Sequence, residues 1–303
     1  MRTGARARFL VIWGLVVTAS SLVSATSFAQ GTGDAGADPK PTTEPVLRVS
    51  RTPDVAPGTN PGRDSHPLDP ALRLAYDGLA SMQRQVHDYT ATLVKRERVD
   101  GSLQDEEHMH VKIRNARNVP GQGQVPFSIY VRFLSPRSFA GREVIWVEGA
   151  NENKLVAHDT GLIRGNFRVS LDPEGGLAMR GNRYPIFEAG IENLVVKLIE
   201  KAERDRAAGD CHVAFYNAKV EDRDCTMIEV RHDERRNPYD FHIAKVYIDK
   251  QLGVPIRYVA YSWPRQPGGQ PVLEEEYTYV NIRLNVGLTD RDFDPDNPSY
   301  AFP

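Results

Sequence analysis

Val246-Tyr247-Ile248-Asp249, Gly253-Val254-Pro255-Ile256-Arg257-Tyr258 and Glu276-Tyr277-Thr278-Tyr279-Val280-Asn281-Ile282 follow one another in the C-terminal third of the chain. Each run is rich in β-branched and aromatic residues, and Asp, Gly or Pro punctuates the runs, which is the composition of strands and their turns. They read as successive β-strands that close a domain, with Asp292-Phe293 in the tail beyond. Upstream, Cys211–Lys219 and Cys225–Arg231 have the same character. The polar run Glu221-Asp222-Arg223-Asp224 between them marks a turn near Asp222-Arg223. Such a turn leaves Cys211 and Cys225 far apart. A turn near Asn217 to Lys219 would instead bring them within bridging distance.

Further back, two helices interrupt the β-pattern. Leu72, Tyr76, Leu79, Met82 and Val86 recur at helical spacing. Asp69 is the expected N-cap, with Pro70 in the first turn. Ile191, Leu194, Val195, Leu198, Ile199 and Ala202 form one face between Glu188 and about Arg206. Between the helices lie β-runs at Tyr89–Val99, Glu106–Arg114, Phe127–Leu134, Arg142–Glu148 and Lys154–His158, and Asp100-Gly101 is a hairpin turn. The order helix, strands, helix, strands predicts an α+β fold. Its expected form is a curved antiparallel β-sheet, a half-barrel, with helices packed on the concave face. The space between helices and sheet is where an apolar ligand would sit.

The chain has 303 residues, 26% of them charged, and a formal net charge of −2. That balance excludes nucleic acid as a main partner, because phosphate binding needs a basic surface. Arg2, Arg6 and Arg8, the apolar run Phe9–Val17 and Ser27-Phe28-Ala29 have the layout of a secretory signal peptide over residues 1–29. No cysteine stands at the cleavage site to carry a lipid anchor, and no later stretch is long and apolar enough to span a membrane. The mature protein is expected in the periplasm or outside the cell, where a disulfide is chemically permitted. Residues 30–67 are rich in Pro, Gly, Thr and Ala without periodicity and read as a disordered linker. Residues 68–303 form the folded domain.

Tyr130-Val131-Arg132-Phe133-Leu134-Ser135-Pro136 with Gly141, and the segment from Val246 to Phe293, resemble outer-membrane lipoprotein-sorting proteins. Asn182-Arg183-Tyr184-Pro185-Ile186 with Glu188-Ala189-Gly190-Ile191 is more particular. It resembles an exported family known as domain of unknown function 1571, and the resemblance covers essentially all of Leu68 to Pro303. It implies a lipoprotein-carrier-like fold, and by analogy a lipid or lipoprotein acyl chain as the ligand.

No catalytic constellation is visible. His108 and His110 share a strand face but lack a third metal ligand. His158-Asp159, His232-Asp233 and Cys211-His212 are neighbour pairs without a G-x-S-x-G elbow. Glu274-Glu275-Glu276 reads as a solvated strand edge. No phosphate-binding or dinucleotide glycine fingerprint is present, so no cofactor, no metal and no enzymatic activity are expected. The ligand-binding expectation falls instead on apolar and aromatic positions lining a cavity: Ile129, Val131, Phe133, Val144, Trp146, Leu194, Leu198, Tyr277 and Tyr279. Arg142 and Arg183 are the expected head-group contacts. A cavity of several hundred Å³ would suit an acyl chain. A filled core would instead point to an envelope scaffold with a protein partner on the same fold.

Overall fold

The computed structural model describes residues 49–53, 66–121, 123–160 and 167–303. The expected signal peptide and most of the expected linker lie outside the described residues. Helix α1 spans Asp69–Gln85 and is followed by strands β2 (Asp88–Val99), β3 (Ser102–Leu103), β4 (Glu107–Arg114), β5 (Arg117–Val119) and β6 (Gly123–Val125). Strands β7 (Ser128–Ser135), β8 (Glu143–Val147), β9 (Leu155–His158) and β10 (Val169–Leu171) come next, then helix α2 (Ile191–Ala208). Strands β11 (His212–Val220), β12 (Arg223–Arg231), β13 (Ile243–Asp249), β14 (Pro255–Ser262) and β15 (Val272–Leu284) complete the order. Strand β1 (Val49–Pro53) precedes them all.

Twelve of these strands form one antiparallel path in the order β1-β11-β12-β13-β14-β15-β2-β4-β7-β8-β9-β10, and β3 pairs with β2 beside it. The path is open, with β1 and β10 as its edges. This is the expected α+β half-barrel. The topology explains the second helix. After β10 the chain stands at one edge of the sheet and must begin β11 near the other, so α2 crosses the helix-bearing face between them. The last strand, β15, joins the two halves of the path by pairing with β2, Tyr279 opposite Leu93 and Thr278 opposite Val94.

Local chemistry fixes each junction. Asp100 and Gly101 have φ of 50° and 78°, the left-handed pair that a tight hairpin turn demands. The start of α1 corrects the sequence reading by one residue. Leu68 is the N-cap, with helical backbone angles of its own, and Asp69 lies inside the first turn. There the Asp69 carboxylate accepts the His66 backbone N–H at 3.0 Å. At α2, Gly190 has φ of 113° and Tyr89 Oη accepts the Ile191 N–H at 2.9 Å. A side-chain oxygen from β2 therefore caps the helix. A Cβ on Gly190 would lie 3.3 Å from that same oxygen.

The β-registers sort the side chains into two faces. Tyr279, Leu93, Met109 and Phe133 are successive cross-strand neighbours, as are Tyr89, Ile113, Ile129 and Trp146. These rows face the helices and merge with Leu72, Met82, Val195 and Ile199 into the main core. On the opposite face, Tyr130 and Ile145 lie under the C-terminal tail, which contributes Phe293, Tyr300 and Phe302. Within the stretch read as a linker, residues 49–53 form β1 along β11, Val49 opposite Val220 and Pro53 opposite Tyr216.

Candidate functional site

Helices α1 and α2 run antiparallel. Tyr76 Oη donates to Glu203 at 3.1 Å near one end and Gln83 Nε2 donates to Glu192 at 3.2 Å near the other. Below the pair, against β12 and β13, lies an apolar slot of about 130 Å³. Leu72, Ala75 and Met82 line it from α1, and Val195, Leu198, Ile199 and Ala202 from α2. Ile228, Val230, Val246 and Ile248 form its sheet wall. Gly78 leaves a gap on the α1 side, where an added Cβ meets nothing within 4 Å. Leu74, 40% exposed, marks the mouth. Two polar residues interrupt the lining, Lys201 and the buried Asp205. Burial raises the Asp205 carboxyl to about 6.

A second cleft, of about 490 Å³, lies elsewhere on the helix-bearing side. Phe127, Trp146 and Phe187 form one wall, with ring centroids 6.0 and 5.7 Å apart. Glu148, Asp172, Glu174 and Glu192 also line it, so its field is negative.

Asn182-Arg183-Tyr184 latches the segment before α2 onto the sheet. The Arg183 backbone N–H donates to Glu97 at 3.0 Å, and its guanidinium reaches the Arg98 carbonyl at 3.0 Å and Glu274 at 3.2 Å. Glu275 lies 3.5 Å from Arg183 Nε and accepts from Tyr258 Oη at 3.2 Å, with Tyr277 Oη 3.3 Å away. Tyr277 also donates a short hydrogen bond to Glu97. Burial, with the Glu275 and Glu97 carboxylates beside it, drives the Tyr277 hydroxyl far above its ordinary range. The solvated-edge reading of Glu274-Glu275-Glu276 is corrected here: β15 is a central strand, and Glu275 and Glu276 are 3% and 4% exposed. Arg257 holds Glu276 at 2.6 Å.

The expected lining residues share the helix-facing side but not one cavity. Leu198 lines the slot and Trp146 the second cleft. Ile129, Val131 and Tyr279 are buried in the core, and Phe133, Val144 and Tyr277 pack against it. Leu194 packs against the smaller cluster of Phe241, Ala244, Tyr258 and Ala260. Arg142 pairs with Asp159 at 3.0 Å and lies over the Phe139 ring, 4.6 Å from its centroid. Among the polar pairs, His158 meets Glu143 at 2.8 Å rather than the carboxylate of its neighbour. Glu143 also accepts from Tyr130 Oη at 2.6 Å and from the Ala301 N–H at 2.8 Å. Tyr300 stacks on Tyr130 at 4.1 Å, so the tail seals this cluster. His212 reaches Asp233 at 2.8 Å, and His108 reaches Glu106 at 2.8 Å. Among the described residues no group of three or more His, Cys, Asp or Glu is placed to hold a metal ion. No helix among them is long and apolar enough to cross a membrane. Cys211 and Cys225 are buried and free, and the turn after Val220 keeps them apart.

Sequence reading missed Asp205. Its only signal was a carboxylate two turns beyond Leu198, near the apolar face of α2.

A sequence profile described as "Protein of unknown function (DUF1571)" matches residues 86–302. No curated protein matches the chain. Solved structures with some similarity include a DUF1329 family protein from Desulfovibrio piger, at 11% identity over 76% of this chain and 98% of that one, TM-score 0.37. A LolA superfamily protein from Nitrosomonas europaea is 12% identical over 73% and 97%, TM-score 0.29. The MucA/MucB complex of Pseudomonas aeruginosa contains a chain 14% identical over 74% and 60%, TM-score 0.40. All three similarities are distant.

Proposed function

The chain belongs to the DUF1571 family of proteins of unknown function, and on that premise we propose that it is a non-enzymatic envelope protein that binds the apolar chain of a lipid or lipoprotein. The observation that carries this reading is the slot between α1, α2 and the sheet, walled by alkyl groups from three elements. The envelope location rests on the secretory pattern of residues 1–29.

The size of the slot sets what it takes. At about 130 Å³ it compares with the ~150 Å³ apolar cavity that accepts benzene. It therefore takes roughly a six-carbon portion of a chain, and the remainder leaves past Leu74. Burying six methylenes contributes about 5 kcal/mol. The loss of translational and rotational freedom opposes this by about 4 kcal/mol or more. Binding through the slot alone is then weak. A complex that survives purification draws further contact from the part of the chain that leaves past Leu74.

Native mass spectrometry of the mature protein, purified without detergent and followed by lipid extraction, tests the reading. A stoichiometric lipid is expected in the wild type and absent in Gly78→Phe, whose ring fills the slot from the open side of α1. A lipid-free wild type that also fails to take up a fluorescent fatty alcohol overturns it. The second reading, a scaffold with a protein partner, is favoured by the small slot and by Phe167, Val169 and Leu177, exposed at 64%, 44% and 66% in and around β10.

A further inference from the structure

Asp205 is out of place in the slot. It is 1% exposed, yet it lines a space otherwise made of alkyl and aromatic groups, with Lys201 as the other charged residue. Its Oδ1 has no hydrogen-bond partner among the described residues. Arg204 Nε stands 3.9 Å from Oδ1, beyond hydrogen-bond reach. On the other side, His232 Nε2 stands 3.5 Å from Oδ2 and also lacks a hydrogen bond.

The surrounding cations are committed elsewhere. Arg204 Nη2 is 2.6 Å from Asp240, while Lys201 Nζ is 3.6 Å from Asp240 and 4.0 Å from Glu275. Burial lowers His232 to about 4, so near neutrality it brings no positive charge. A carboxylate taken out of water without donors is unfavourable, and buried acceptors are ordinarily satisfied. A leucine here would pack the same wall without that penalty.

We propose that Asp205 Oδ1 accepts a hydrogen bond from the polar end of the slot's ligand, which is therefore an apolar chain ending in an amine or hydroxyl and not in a carboxylate. This inference rests on the slot being a binding site. A fatty acid would place its carboxylate against Asp205 at low dielectric, where like charges repel strongly. An ammonium or hydroxyl gives Oδ1 the donor it lacks, and a charged donor forms the stronger bond.

The test uses hexylamine, hexanol and hexanoate, sized for the slot, titrated at pH 7.5 against the full mature protein. Binding is read from the NMR methyl signals of Ile199, Ala202 and Ile228. Hexylamine and hexanol are each expected to bind at least tenfold more tightly than hexanoate, and the tighter of the two identifies the donor. Asp205→Leu should reduce the preference to under threefold. If that variant does not fold, Asp205→Asn decides, because its amide tolerates hexanoate as well as hexanol. Hexanoate binding as tightly as hexanol to the wild type overturns the role of Asp205 and leaves the slot reading standing. If none of the three probes moves the slot methyls, the slot reading fails, and this inference with it.

Discussion

Asp205 and His232 form a buried acid–base pair whose proton uptake nearly cancels, and separating the two is a sensitive test of how α2 is held on the sheet. Burial raises the Asp205 carboxyl to about 6 from its usual 3.8 and lowers the His232 imidazole to about 4 from 6.5. The signs are opposite. The Asp205 contribution to stability is full below pH 3.8 and is lost as pH rises through about 6. The His232 contribution is full above pH 6.5 and is lost as pH falls through about 4. Each window spans a little over two pH units, which corresponds to about 3 kcal/mol. In the wild type the two nearly offset between pH 4 and 6.

Asp205→Asn removes one side of this balance. Its stability relative to the wild type should climb by about 3 kcal/mol from pH 4 to pH 6.5. His232→Asn removes the other side and should fall by about 3 kcal/mol relative to the wild type over the same range. The assay is urea unfolding at pH 4, 5, 6 and 7, followed by far-UV circular dichroism, with free energies compared at each pH. Curves for both variants that run parallel to the wild type, or slopes of the reversed sign, would refute the account.

Tyr89→Phe removes the acceptor for the Ile191 N–H and leaves a buried donor unpaired, at an expected cost of about 1–3 kcal/mol in urea unfolding. Gly190→Ala strains the same junction through its φ of 113° and its approach to Tyr89 Oη, and a loss of about 1–3 kcal/mol is expected by the same measurement. Burial pushes the Cys211 thiol up to about 12 and the Cys225 thiol up to about 11. Ellman's reagent at pH 8 should therefore detect no thiol in the native protein and two per chain in denaturant; rapid reaction of the native protein would contradict the burial.

Periodicity and turn chemistry made most elements legible. The Asp100-Gly101 hairpin, both helices and the runs that became β11 to β15 follow from spacing and punctuation alone. The α1 N-cap was off by one because Leu68 enters the helix early, and nothing local in Leu-Asp-Pro distinguishes the two starts. Strand order was less accessible, since no local pattern in β15 reveals that β2 is its neighbour. That gap misled the reading of the glutamate triplet: a charged run looks like an edge until its partners, Arg183 and Arg257, are known to reach it. Arg183 itself illustrates the same limit from the other side. Its residue type suits a head group, and nothing in the local sequence shows that its guanidinium reaches the Arg98 carbonyl, Glu274 and Glu275. The aromatic and aliphatic residues selected from sequence share a face because strand alternation is local, whereas which of them border empty space is a property of the whole packing.

The pairing of β15 with β2 has a temporal consequence. A chain synthesised from its N-terminus completes β2 at Val99, yet the neighbour that flanks it on one side arrives with Val272–Leu284. Throughout that interval the central seam of the future sheet is an open strand edge, able to pair with another chain. Contacts this distant in sequence also slow folding, because the intervening loop must close before they form. The protein is thus open to misassembly from the completion of β2 until β15 is made, and a chaperone that shields β2 until residue 284 has emerged would cover that interval.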